Sequence, residues 1–459
     1  KENLWNREIF ENDPGLYNGW NNIPYSELSS SWKECEIPND FYDLNKAGVC
    51  WFKKQVYISK EQLEHFNSKE TYLWLGTIVD SDIAYVNGVQ VGITYYSYPP
   101  RRYIVPKGIL KEGENTISIR VQKNGIGPLR FFKEKPYYLF TEDEKIIPVV
   151  SKNVEYELAK KYTEMEDKST GVRIKLDGIW KKCISYECEC APESFFVEWE
   201  PTALYNAMLA PAFNHAIAGA LWYQGESDAM RANEYKSLLS EMIDLWRSNF
   251  IYAPEKMPFI VVQLPNWSDG YKNEAQDKKE DWAEFRMVQS NTVNDCENCA
   301  LVVTIDAGEW NDLNQEKKRT VGTRAAKEAL RMVYGKNYNS SPKKNYCEDK
   351  YTHIKIKFDC GNSSLVAFEA NKDFIDFETK TEDVYGFSFL VEEKGCKKIV
   401  PAKAKLTGLN EVEIEIPKIN GSLLEFRYLW ANNPWIVNLY SEEMIPAEPF
   451  RIILNSLCR

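Results

Sequence analysis

Two stretches of this chain put chemically active side chains where a strand would deliver them. The first is Gly219-Ala-Leu-Trp-Tyr-Gln-Gly-Glu-Ser-Asp-Ala229, an apolar run that leads straight into Gln224, Gly225, Glu226, Ser227 and Asp228. Gly225 permits a tight turn, so Gln224 and Glu226 would point into a cleft at the strand's carboxyl end. The second is Leu301-Val-Val-Thr-Ile-Asp-Ala-Gly-Glu-Trp-Asn-Asp-Leu-Asn-Gln315, where Asp306, Glu309 and Asp312 crowd the loop after another strand. Each has a plainer reading: a strand-to-helix turn whose Ser or Asp caps the next helix, and a polar loop. Glu226 with the Asp306, Glu309 and Asp312 group also fits a paired-carboxylate glycosidase, but spacing alone fixes no distance. Ser227 fails as a nucleophile elbow. Gly225 stands two before it, Ala229 rather than Gly two after it, and no acid and His follow in order.

The elements around these blocks read as α/β. Between 201 and 335, helices are expected at Ala207–Ala218, Asn233–Phe250 and Thr320–Tyr334, the last stopped by Gly335. Apolar strands are expected at Ile217–Tyr223, Pro258–Gln263 and Leu301–Ile305. That alternation predicts βαβ units and a mainly parallel sheet with helices on both faces. Upstream, residues 1–30 read as an extended lead-in, and 31–140 as a β-sandwich with strands at Val49–Ile58, Thr71–Leu75, Ile83–Val86 and Thr116–Val121. Asn87-Gly88 between two apolar runs is a hairpin signal. Residues 141–345 hold the α/β domain and its connector, and 346–459 a small all-β domain with strands at Thr352–Phe358, Gly386–Val391, Glu411–Ile416 and Leu423–Leu429.

Composition narrows the function classes. The 459 residues predict about three domains. Net charge is −11, so nucleic acid is excluded as the first expectation. No apolar run approaches the roughly 20 residues that span a bilayer. No cysteine pattern has zinc-site spacing; Cys296-Glu-Asn-Cys299 and Cys188-Glu-Cys190 read as free thiols or structural disulfides. No metal or cofactor is expected. Sequons at Asn266, Asn339, Asn362 and Asn420, with eleven cysteines, favour a secreted or vesicular glycoprotein; an intracellular assembly is the alternative. The abrupt start at Lys1 and the odd cysteine count suggest a processed product with a partner thiol elsewhere.

Trp222-Tyr-Gln-Gly-Glu-Ser-Asp-Ala229 resembles the W-Y-Q-G-E-S-N/D block of the sialate O-acetylesterase family, SGNH-type carbohydrate acetylesterases with an inserted galactose-binding-like jelly roll. Further matches are Pro201-Thr-Ala-Leu-Tyr-Asn-Ala-Met-Leu-Ala-Pro211, Pro258-Phe-Ile-Val-Val-Gln-Leu-Pro-Asn266, Trp282-Ala-Glu-Phe-Arg286 and Trp310-Asn-Asp-Leu-Asn314 with Arg324. Leu73–Asp82, Tyr85–Gly88 and Arg102–Pro106 resemble the jelly roll, and Tyr428–Ala431, Asn438–Tyr440 and Pro446–Arg451 the carboxyl-terminal end.

The resemblance implies hydrolysis of an acetyl ester: a Ser attacks, a His takes its proton, and an Asp orients the His. Asp312 would be that Asp, and Gln224, Gly225 and Glu226 would stabilise the oxyanion. An acetylated glycan or sialic acid would be the substrate. Two departures follow. The family's Gly-Gln-Ser-Asn-Met-like nucleophile block is not found in this sequence, and the Asp-x-His-Pro block reads Asp312-Leu313-Asn314-Gln315. Asn314 has no titratable nitrogen and cannot act as the base. The chain's only histidines are His65, His215 and His353. The expectation is therefore a catalytically impaired esterase. The alternatives are an active two-chain enzyme with its Ser on a separate N-terminal chain, and a non-catalytic glycan-binding or structural component of an assembly. Tyr95, Tyr96, Tyr98 and Tyr103 would suit sugar stacking.

Overall fold

The alternating apolar residues between 47 and 123 form strands, as a period of two requires. The computed structural model describes residues 2–44, 46–97, 99–133, 135–141, 171–192, 200–267, 280–308, 313, 315, 317–349, 352–371, 374–434 and 436–454. The chain divides into two units, Lys1–Val197 and Glu198–Arg459, so the α/β and carboxyl-terminal β regions expected as separate domains share one unit.

In the first unit a six-stranded antiparallel sheet runs in the order Lys33–Ile37, Gly178–Cys188, Ala47–Ile58, Gly113–Lys123, Ser81–Val86, Val89–Thr94. A four-stranded sheet has the order Arg173–Lys175, Tyr137–Thr141, Thr71–Leu75, Arg102–Val105. Phe52, Ile117 and Ile119 of one and Leu73, Leu139 and Tyr103 of the other share a core, which makes the β-sandwich. Asn87 and Gly88 turn the hairpin at positive φ, 50° and 85°.

Three expectations are corrected here. Residues 173–188, assigned to the α/β connector, are sandwich strands. The lead-in is helical over Glu2–Asn12 and again over Pro14–Tyr17 rather than extended. Asp13 caps the second helix through the Gly15 N–H, and Ile9, Trp5 and Leu16 bury against Val49, Trp51 and Tyr85. Tyr103, a candidate for sugar stacking, is a core residue bonded to Asp82. Tyr95 and Tyr96 are exposed, and Tyr98 lies outside the described residues.

The second unit carries the expected parallel sheet. β1 (Ala220–Trp222), β2 (Phe259–Val262) and β3 (Cys299–Val302) pair in that order. α1 (Ala232–Asn249) and α2 (Asp281–Asp295) cover one face, with Tyr235, Leu239, Ile243 and Phe285 against Phe259 and Val261. α3 (Lys318–Tyr334) covers the other, with Val321 and Ala325 against Ile260, Val262 and Val302, and Gly335 ends it at φ 60°. Ala207–Ala218 does not form the expected helix; Tyr205–Leu209 is one π-helical turn and Ala210–Ala212 one 3-10 turn, with Pro211 unable to donate a helical hydrogen bond. Downstream, antiparallel sheets that include His353–Asp359, Phe387–Glu393, Glu411–Glu415 and Ser422–Tyr428 close around Phe358, Phe389, Phe426 and Tyr428. The ten described cysteines are free thiols.

In the sandwich, Arg101 and Asp82 are fully buried and paired at 2.7 Å, and Arg101 also donates to the carbonyls of Ile78, Asp80, Tyr96, Ser97 and Pro99. Asp82→Ala leaves that guanidinium without its anion. The expected cost is about 3–5 kcal/mol, read as a shift of the urea midpoint at unchanged slope.

Candidate functional site

The carboxyl ends of β1, β2 and β3 leave backbone groups beyond the last ladder bond, and side chains take them up. Gln289, one turn after Arg286 on α2, is fully buried. Its Oε1 accepts from the Leu264 N–H at 2.9 Å, and its Nε2 donates to the carbonyls of Val262 and Gln224 at 3.3 and 3.4 Å. One amide thus ties the ends of β1 and β2. Tyr235 of α1 also donates to the Gln224 carbonyl at 3.1 Å and accepts from Trp222 Nε1 at 2.9 Å. Burial, the chief cause, pushes the Tyr235 phenol up to about 12.

Gly225 turns the chain out of β1 at φ 152°. A Cβ there would lie 2.3 Å from Phe285 Cε1, so the tight turn expected of this glycine is also a close approach to α2. Gln224 Nε2 donates to Asp228 at 3.0 Å, and Asp228 pairs with Arg231 at 2.5 Å. The capping reading fails. α1 has Arg231 at its N-cap and no side-chain cap, because Asp228 is engaged by Gln224 and Arg231. The Glu226 carboxylate accepts from the Gly225 N–H at 3.0 Å, so a backbone donor expected to serve an oxyanion is already bonded.

The second block meets the first through Gln315. This buried side chain donates to Tyr223 Oη at the end of β1 and accepts from Lys318 Nζ at 3.1 Å, while Lys318 lies 5.3 Å over the Tyr223 ring. Burial raises the Tyr223 phenol. Asp306 does not face a cleft. Arg324 clamps both its oxygens at 2.6 and 2.7 Å, and Tyr440 Oη donates to it at 3.2 Å. Its lone pairs are committed, which removes it from a carboxylate pair of glycosidase type. Glu309, Asp312 and Asn314 lie outside the described residues. Of the histidines in this unit, His215 precedes β1, at the end of the strand opposite Gln224, and His353 opens a strand of the carboxyl-terminal sheets.

Sequence reading missed the supports of this site. Arg286 is fully buried and donates to the carbonyls of Pro265, Ala431 and Asn432, with no carboxylate beside it among the described residues; burial pulls it down to about 9. Asn432 Oδ1 accepts from the Trp282 and Ala283 N–H groups at 3.0 and 3.2 Å, serving as the cap that α2 lacks locally. Asn266 donates to Asn433 at 2.9 Å and accepts from the Gly308 N–H at 2.8 Å, so this sequon nitrogen is engaged. The available signal was Arg286 and Gln289 at i,i+3, two polar residues on the inward face of a helix. Among the described residues no His, Cys, Asp and Glu group could hold a metal, and no helix is long and apolar enough to cross a membrane.

Residues 189–331 match the family model "Carbohydrate esterase, sialic acid-specific acetylesterase". The chain is 24% identical to the sialate O-acetylesterase of Mus musculus over 267 residues, 54% of this chain and 47% of that protein. It is 24% identical to the sialate O-acetylesterase of Homo sapiens over 308 residues, 63% of this chain and 55% of that protein. The chain thus spans about half the length of the curated relatives it matches. A solved carbohydrate acetylesterase from Xanthomonas citri aligns with 18% identity over 84% of this chain and 95% of that one, at a TM-score of 0.47.

Two outcomes follow from the supports. Gly225→Ala combines an unfavourable φ with a clash against Phe285 and is expected to cost about 2–4 kcal/mol in chemical denaturation. Glu448 is buried with Ser290 donating to it, and burial raises its carboxyl above the ordinary 4.5. The folded protein then keeps a proton that the unfolded chain releases. The contribution of this carboxyl to stability is full below about pH 4.5 and is lost as pH rises through the folded value. Glu448→Gln should flatten that decline and raise the melting temperature on the alkaline side, read from thermal melts across pH.

Proposed function

We propose that this chain, a relative of the sialate O-acetylesterases, binds an O-acetylated sugar at the carboxyl ends of β1–β3 and is impaired as an esterase by itself. One observation carries the reading: the described amides and carboxylates there, Gln224, Glu226, Asp228, Asp306 and Gln315, are each already hydrogen-bonded, to one another or to a backbone N–H, a phenol or a guanidinium, and no imidazole lies among them. Ester hydrolysis of this type needs a hydroxyl whose proton passes to a base and then to the departing sugar oxygen. Asn314 cannot take that proton. Gln224 and Asp228 supply a fixed polar rim that suits binding of sugar hydroxyls. A lumenal setting belongs to the same proposal and is supported by the exposed sequon residue Asn420.

A second reading, an active enzyme whose serine comes from another segment, is favoured by the outer edge of β1, with which no described strand pairs and where Leu221 is exposed.

The test is acetate release from an O-acetylated sialic acid by the wild-type chain and by Asn314→His. The wild type is expected at the uncatalysed background, since losing triad members costs on the order of 10⁴–10⁶ in rate. Brisk turnover by wild type with no gain in the variant would overturn the impaired reading. A gain confined to the variant would support the impaired reading, with the defect at position 314.

A further inference from the structure

We infer that Cys296 and Cys299 are a disulfide site, which closes by exchange with a small-molecule disulfide and fastens the end of α2 to the start of β3.

The turn between those two elements brings the thiols together. Cys296 caps α2 at its carboxyl end, with its N–H still donating to the Thr292 carbonyl at 3.0 Å and its own backbone extended at φ −95° and ψ 126°. Asn298 turns the chain back at φ 53°, and Cys299 is the first residue of β3, opposite Phe259 of β2. Both side chains are half-buried and pack against the core that α1, α2 and β2 share. The two thiols are hydrogen-bond neighbours. Closure of a disulfide without backbone movement requires such contact.

α1 holds this turn from the side. Arg247 Nη2 donates to the Glu297 carbonyl at 2.7 Å and lies 3.7 Å from Cys299 Sγ, while its Nε donates to the Met257 carbonyl at 3.1 Å. Asn298 Nδ2 donates to the Lys256 carbonyl at 2.5 Å, and Cys296 Sγ donates to Ser240 Oγ at 3.8 Å. The flanking carboxylates are engaged elsewhere: Asp295 pairs with Lys236 at 2.6 Å and Glu297 with Lys256 at 2.7 Å. Among the described residues Arg247 bonds to carbonyls and sulfur and to no carboxylate, so its charge is available to a sulfur anion.

These contacts give the two cysteines different parts in the exchange. The thiolate is the nucleophile, and burial pushes the Cys299 thiol up to about 11, so Cys299 stays protonated near neutral pH. The first attack therefore falls to Cys296. Its thiolate attacks one sulfur of the incoming disulfide, the S–S bond breaks, and the departing thiolate takes up a proton. Cys299 then loses its proton with Arg247 beside the anion, and its sulfur attacks Cys296 Sγ in the mixed disulfide. The second small thiol leaves. The two cysteines lose two electrons and two protons, and the small disulfide gains both to become two thiols.

The experiment equilibrates the full chain in glutathione buffers from reduced to oxidised, quenches in acid, alkylates under denaturing conditions and digests with trypsin. Met287–Lys317 is released as one peptide whose only cysteines are Cys296 and Cys299. In a buffer as oxidising as a secretory lumen it is expected unalkylated and two hydrogens lighter; in one as reducing as cytosol it should carry two alkyl groups. The oxidised protein should melt about 2–4 °C above the reduced one, a small rise because the closed loop is short, and a Cys296→Ser, Cys299→Ser double variant should lose that difference. Cys299→Ser should hold glutathione on Cys296, whereas Cys296→Ser should keep Cys299 as a thiol. A doubly alkylated peptide across the whole series, or a glutathione adduct that accumulates in the wild type in place of the internal bond, overturns the site. Glutathione on Cys299 in folded Cys296→Ser overturns the assignment of the first attack. A melting difference that survives in the double variant overturns the fastening of α2 to β3.

Discussion

Backbone groups at the ends of buried parallel strands cannot be left without partners, and the second unit is organised around that constraint. The ladder between β1 and β2 ends at Trp222 and Val261, and the Gln224 and Val262 carbonyls beyond it, both acceptors, need a donor from elsewhere. An unpaired buried carbonyl or amide costs about 1–3 kcal/mol, so a few would consume much of a domain's stability. Gln289 meets three of these groups, and Tyr235 a fourth contact at Gln224. The polar block that looked catalytic in sequence is thus first a solution to strand termination. Chemistry has only what that solution leaves over.

The same accounting separates candidate from supporting residues. Asp306 and Glu226 were equal candidates as carboxylates. Asp306 closes a bidentate pair with Arg324 and accepts from Tyr440, so it holds α3 to the carboxyl-terminal strands. Glu226 holds its own turn through the Gly225 N–H and remains only partly buried. Gln315, which looked like loop filler, is the buried link between the two blocks.

Much of the fold was legible because its signals were local. The Asn87-Gly88 hairpin, the apolar strands around 220, 260 and 300, and the helix ended by Gly335 each follow from a few neighbouring residues. The errors share a cause. Glu2–Asn12 is rich in polar residues, and its Trp5 and Ile9 matter only once a sheet lies beneath them. Ala207–Ala218 has helical composition, but Pro211 limits it to single turns. In the site, the Gln224–Glu226 turn could be read from Gly225, whereas the Asp306–Arg324 clamp, 18 residues apart, and the Arg286 carbonyl nest, 145 residues apart, have no local trace.

Asn432 caps α2 from 149 and 150 positions away, and Arg427 pairs with Glu280 just ahead of that helix at 2.7 Å. The beginning of α2 is therefore written in the carboxyl-terminal strands. A recombination event that exchanged those strands for another β module would leave the helix uncapped and would loosen Gln289 from the strand ends it joins. The helix and the β tail therefore stand or fall together in stability, although 149 and 150 residues separate the bonded groups.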